Sequence, residues 1–181
     1  YGDLLARRAG LASDAEYFGN LSGDIRALET TPGRLVQPVT QSSYDAWIKQ
    51  YRPDENSPNT TISYYTKGLV IAVLLDARIR LATGNQKSLD DVMRLAYQRY
   101  SGARGFTEAQ FRAVVTEVGG AELTDVLARA LDTTQPLEYQ PLLDAYGLQF
   151  APADSLATRG WLGITTRVDA GRLLVNQVRR D

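Results

Sequence analysis

The sequence predicts a mainly α fold that ends in a β-hairpin, and three observations carry the prediction. Four segments place a hydroxyl where a helix can begin and an acid or glutamine three residues on: Ser13-Asp14-Ala15-Glu16, Ser42-Ser43-Tyr44-Asp45, Ser88-Leu89-Asp90-Asp91 and Thr107-Glu108-Ala109-Gln110. In each, the hydroxyl can accept from an orphan backbone N–H of the first turn while the later side chain bonds back to the cap. Apolar residues then recur at helical spacing, and two strand-like runs close the chain around Asp169-Ala170-Gly171.

In chain order, Gly10, Gly33, Gly84, Gly102 and the pair Gly119-Gly120 follow periodic segments, where a left-handed residue can close a helix. Residues 62–81 differ from the other helices. Leu69-Val70-Ile71-Ala72-Val73-Leu74-Leu75 is apolar on every side, which places this helix at the centre of a bundle, capped from Thr61 or Ser63. Val92, Leu95, Ala96 and Tyr100 give the next apolar face, Phe111, Val114, Val115 and Val118 another, and Leu123, Val126, Leu127 and Leu131 a third. Leu142, Leu143 and Tyr146 make a short last helix. The connections Thr31 to Gln41 and Arg52 to Thr60 are rich in Pro, Gly and polar residues and read as surface loops. Composition shifts after Phe150: residues 1–150 form the helical part, 151–159 a linker and 160–181 the hairpin, with strands at Trp161 to Val168 and Arg172 to Val178.

Composition narrows the chemistry. The 181 residues include no His and no Cys, so imidazole or thiolate zinc sites, Ser-His-Asp triads and disulfide scaffolds are excluded within this chain. Twenty basic residues against 21 acidic ones leave a net charge of −1, and no Lys/Arg run exceeds two, so nucleic acid is not an expected partner. The apolar run from Leu69 to Leu75 is far short of the ~20 residues of a membrane span.

The stretch that carries chemistry is Ile62-Ser63-Tyr64-Tyr65-Thr66-Lys67-Gly68, opening the apolar helix. From the residues alone it is a helix start with two packed aromatics and a glycine for close contact. Asp76 and Arg80, four apart in the same helix, are a structural ion pair, and Lys67 is a surface residue near the helix end. In the polar loop that precedes this stretch, Arg52 or Asn56 can contact a peptide backbone and Asp54 or Glu55 a free amino terminus, although such loops also make their own turns.

Tyr65-x-Lys67-Gly68 resembles the Tyr-Glu-Lys-Gly segment of zinc aminopeptidases of the thermolysin-like superfamily, with Thr66 where many carry Glu. A longer series resembles the glycyl aminopeptidase-like metallopeptidases that bear a PDZ domain. It comprises Tyr1-Gly2-Asp3-Leu4-Leu5, Thr31-Pro32-Gly33-Arg34, Ser43 to Lys49, Tyr51 to Ser57, Ile62 to Gly68, Leu75-Asp76, Ser88 to Arg94 and Tyr146-Gly147-Leu148. The resemblance implies the helical C-terminal lobe of a peptidase catalytic domain, followed by the first strands of a truncated PDZ domain, with Gly160-Trp161-Leu162-Gly163-Ile164 like its carboxylate-binding loop and strand.

What the resemblance implies for function is an aminopeptidase with glycyl or alanyl preference whose zinc is held by an H-E-x-x-H helix and a later Glu. Both lie outside this chain, so the chain alone is expected to be inactive and to bind no metal. Tyr65 corresponds to the family's tyrosine that donates to the tetrahedral intermediate, with Tyr64 the neighbour most easily confused with it. Tyr64, Arg52 and Asn56 are the candidate substrate contacts, a peptide the partner, and dimerisation or hairpin swapping an expectation for the isolated chain. The family implies a bacterial periplasmic or cytoplasmic setting. A different reading stays open at this point: a non-catalytic helical interaction module with a PDZ-like peptide-binding appendage.

Overall fold

The computed structural model describes residues 1–151 and 162–180; the expected linker and Gly160-Trp161 therefore fall almost wholly outside the described residues. Among the described residues ten α-helices run Gly2–Arg8 (α1), Asp14–Glu29 (α2), Val39–Tyr44 (α3), Ala46–Lys49 (α4), Ser57–Thr60 (α5), Tyr64–Ala82 (α6), Leu89–Tyr100 (α7), Glu108–Gly119 (α8), Leu123–Asp132 (α9) and Gln140–Tyr146 (α10). An antiparallel hairpin, Ile164–Asp169 (β1) and Arg172–Val178 (β2), follows. The molecule is thus mostly helical with a terminal two-stranded hairpin, as the sequence predicts. Among the described residues no helix is long and apolar enough to cross a membrane.

Three of the four cap signatures are N-caps here. Ser13, Ser88 and Thr107 each close a reciprocal capping box, with Glu16, Asp91 and Gln110 bonding back to the cap backbone. Ser63, one of two caps expected for the apolar helix, caps α6 by accepting from the Thr66 N–H at 3.3 Å. The fourth signature misleads. Ser42 lies inside α3, which starts after Pro38, and its buried hydroxyl donates to the Ile62 carbonyl at 2.6 Å.

Helix α6 is the axis of the bundle. Leu75 and Ile79 pack with Leu89 and Val92 of α7, Val114, Val115 and Val118 of α8, and Leu123 and Leu127 of α9. A second cluster joins Ile71 to Val39 and Ile62, flanked by Leu131 and Leu137. The burial is not complete all round, because Leu69, Val73 and Leu74 are half-exposed. The predicted Asp76–Arg80 pair is present at 2.7 Å, and Asp76 also accepts from the Leu89 N–H at 2.8 Å and the Tyr146 hydroxyl at 2.9 Å. This carboxylate ties α6 to α7 and α10.

The two connections read as surface loops are partly buried structure. Residues 32–35 make a 3-10 turn and residues 57–60 make α5, with Ser57 and Asn59 buried. Gly33 is not a left-handed stop. It sits in the 3-10 turn against the backbone of Thr61, where an added Cβ would fall 2.0 Å from the Thr61 carbonyl oxygen. The next residue, Ile62, donates its N–H to the buried Gln37 side-chain carbonyl at 3.1 Å and accepts at its own carbonyl oxygen from Ser42. Segment 61–63, which leads into α6, is therefore held by one close backbone contact and two buried hydrogen bonds.

The hairpin turns on Ala170 and Gly171, whose φ values of 47° and 77° suit a two-residue turn with both central residues left-handed. Asn59 fastens the hairpin to the helices: its amide donates to the Val178 carbonyl and its oxygen accepts from the Arg180 N–H, both at 2.9 Å. A side-chain amide here does what a neighbouring strand does in a ladder.

Gly33→Ala must displace the Thr61 backbone, and by chemical denaturation it is expected to cost roughly 1–3 kcal/mol, as overpacking does. Ser42→Ala leaves the buried Ile62 carbonyl without its donor, with an expected loss of ~1–3 kcal/mol. Unchanged midpoints in both variants would show that segment 61–63 is not pinned as described.

Candidate functional site

Tyr64 and Tyr65 are the first two residues of α6, set directly behind the Ser63 cap, so their orientation follows from the pinned segment before them. Their rings lie 4.1 Å apart, tilted by 32°. Tyr65 is 59% exposed, so the candidate donor faces outward rather than into the core. The start of a 19-residue helix carries partial positive charge, which favours negative charge developing beside it.

A third tyrosine completes the cluster. The Tyr51 hydroxyl lies 2.8 Å from that of Tyr65 and 3.1 Å from that of Tyr64. Tyr51 follows α4, its N–H donating to the Ala46 carbonyl, and its ring rests 5.5 Å from that of Trp47. Reading the loop for charged and amide side chains passed over Tyr51. The usable signal was Trp47 and Tyr51 at four-residue spacing just ahead of the polar loop, an aromatic pair on one face of a helical turn.

Hydrogen bonding splits the phenols. The Tyr65 hydroxyl is drawn below the ordinary tyrosine range, first by its bond with Tyr51 and then by Tyr64. Tyr64 is pushed far above that range, again first by Tyr51. A phenol that accepts a hydrogen bond ionises more readily, and one that donates ionises less readily. Tyr65 is thus the better proton donor of the pair.

Arg52 and Asn56 are both exposed on the loop after Tyr51. Asn56 is also part of the loop's internal bonding, its side-chain oxygen accepting from Asn59 at 2.9 Å and its N–H donating to Asp54 at 3.0 Å. Asp54 accepts from the Ser57 hydroxyl as well, at 2.9 Å, and this bond above all holds its carboxyl below the usual range. The Asp/Asn residues therefore organise the loop, and Asn56 leads through Asn59 to the hairpin.

Lys67 corrects the sequence reading outright. It is 2% exposed, not a surface residue. Burial pushes its ammonium below the ordinary lysine range, Glu29 of α2 offsets part of that, and Arg34 adds to it. Glu29 itself is engaged by the Tyr139 hydroxyl at 2.7 Å and by Arg34 at 3.5 Å.

A cavity of about 370 Å³ lies elsewhere, between α1, α2, α6 and α10, and is lined by Leu4, Phe18, Leu69, Val73 and Tyr146 around the saturated Asp76. The chain has no His or Cys, and among the described residues no three acidic side chains converge as ligands. The donor set present does not fit a zinc ion.

Residues 1–71 match the M61 glycyl aminopeptidase family, a stretch that takes in Tyr51, Tyr64, Tyr65 and Lys67. Over this stretch the chain is similar to the glycyl aminopeptidases. Among solved structures it resembles an aminopeptidase N family protein from Idiomarina loihiensis, with 26% identity and a TM-score of 0.83 over 99% of this chain. The chain spans 33% of the length of that protein. No curated protein matches it.

The buried lysine gives the chain a pH signature. Below the folded pKa of Lys67 both states carry the charge and the burial penalty is whole. Between that value and the ordinary lysine value the unfolded chain binds more protons, so stability rises with pH. Melting temperatures measured as pH rises toward the ordinary lysine value are expected to climb in the wild type relative to Lys67→Met, in which this component is absent. Parallel profiles would place the ammonium in water.

Proposed function

We propose that this chain is the helical wall of the substrate cleft of a zinc-dependent aminopeptidase larger than itself. In this reading the metal is held by residues outside the chain, and the chain alone is inactive. The support is the glycyl aminopeptidase match over residues 1–71, together with a solved relative three times as long. The observation that carries the functional part is the outward-facing Tyr65 hydroxyl at the start of α6, drawn below the ordinary phenol range by its neighbours.

Peptide hydrolysis passes through a tetrahedral state in which charge gathers on the former carbonyl oxygen. Tyr65 is protonated at neutral pH and donates its hydrogen to that oxygen. The α6 N-terminus favours the same charge, and the pinned segment 61–63 keeps the donor in place as charge develops. Tyr64, Arg52 and Asn56 line the approach and contact the peptide, and a glycyl or alanyl amino terminus is the preferred substrate. Tyr44, Trp47 and Ile48, exposed beside Tyr51, suit a surface covered by the rest of the larger protein.

In the full-length protein, Tyr65→Phe is expected to lower turnover of a glycyl or alanyl amide by ~10²–10³-fold, the usual loss for one oxyanion donor. Its melting temperature should stay close to wild type, because the removed hydroxyl is exposed. Near-normal turnover by Tyr65→Phe would sink the assignment. A full-length protein that hydrolyses no amino-terminal amide would favour an interaction module instead.

A further inference from the structure

We propose that Tyr51 is a positioning residue: its hydroxyl orders the protons of the cluster into one chain, Tyr64 to Tyr51 to Tyr65, leaving the Tyr65 O–H as the free donor. The proposal rests on reading Tyr65 as the donor to the tetrahedral state, and it explains why Tyr65 rather than Tyr64 has that role.

Proton counting limits the choices. Three hydroxyls bring three protons, and the two contacts of 3.1 and 2.8 Å consume two of them, so one proton is left over. Because Tyr51 is the middle member, three arrangements exist. Tyr65 can donate to Tyr51 and Tyr51 to Tyr64, leaving the spare proton on Tyr64. Both outer tyrosines can donate to Tyr51, leaving it on Tyr51. Or Tyr64 donates to Tyr51 and Tyr51 to Tyr65, leaving it on Tyr65.

Exposure disfavours the first arrangement, since the spare proton would sit on half-buried Tyr64 while exposed Tyr65 spent its own inward. The second likewise spends inward the proton of Tyr65, the most exposed of the three phenols, and a Tyr65 that donated to Tyr51 would be held above the ordinary range rather than below it. The third agrees with both observations, and with Tyr64 being the phenol held high.

The arrangement also has a catalytic consequence. As the Tyr65 proton is drawn toward a substrate oxygen, electron density rises on the Tyr65 oxygen, and the Tyr51 O–H is already aimed at it. Tyr51 touches neither the substrate nor the reacting atoms in this account. Its ring is steadied by Trp47, so Tyr51→Phe removes the hydroxyl while keeping the packing.

The test uses the full-length protein labelled with Cζ-¹³C tyrosine, its three resonances assigned by Tyr51→Phe, Tyr64→Phe and Tyr65→Phe. In the wild type Tyr65 should ionise at a lower pH than Tyr64. In Tyr51→Phe its titration should move up toward the ordinary tyrosine value, and kcat should fall about 3- to 10-fold, the worth of one neutral hydrogen bond, at unchanged KM. A Tyr65 titration that is unmoved or shifted down in Tyr51→Phe overturns the proposal. The two readings separate cleanly: loss of the oxyanion role appears as normal turnover in Tyr65→Phe, while the ¹³C titration reports on Tyr51 whatever the activity does.

Discussion

The backbone of Ile62 is gripped at both its polar groups by buried side chains, Gln37 at the N–H and Ser42 at the carbonyl oxygen, and the geometry of the candidate site depends on that grip. A buried peptide without partners is costly, so satisfying both groups selects one path for the chain. Gly33 narrows it further, since its missing side chain is what lets Thr61 approach. The Ser63 cap follows one residue after the gripped peptide, and the two tyrosines follow the cap. Their hydroxyls are set by a backbone that α3 and the 3-10 turn hold in place, with Ile62 buried beneath.

The same short segment communicates with the hairpin. Asp54 and Ser57 shape the loop after Tyr51, Asn56 bonds to Asn59, and Asn59 brackets the end of β2. The tyrosine cluster and the hairpin are thus two outputs of one loop, with Tyr51 at its entry and Asn59 near its end. A displacement of the hairpin would be felt through a few hydrogen bonds rather than through a packed hydrophobic interface.

Much of this was legible in the sequence because it is written in local patterns. The capping boxes at Ser13, Ser88 and Thr107, the apolar α6, the Asp76–Arg80 pair and the Asp169-Ala170-Gly171 turn each rest on residues close together in the chain. What escaped depends on contacts between distant residues. Ser42 has the pattern of a cap but spends its hydroxyl on Ile62, 20 residues away. Gly33 has the look of a stop but answers a steric demand from Thr61. Lys67 has the character of a surface residue, yet α6 turns it toward Glu29 and Arg34. Tyr51 belongs with these, because the Trp47–Tyr51 spacing marks an aromatic pair but its hydroxyl partners lie 13 and 14 positions on.

In the proposed reading the Tyr65 hydroxyl faces the charge formed during peptide hydrolysis. The most direct measurement is a crystal structure of the full-length protein bound to a phosphinic dipeptide, whose tetrahedral phosphorus carries oxygens where the reacting carbon would. The account predicts the Tyr65 hydroxyl ~2.5–3.0 Å from one of those oxygens, with Tyr51 still bonded behind it. A bound phosphinate whose oxygens contact neither Tyr65 nor its neighbours on α6, or are met by Tyr64 in its place, would contradict it.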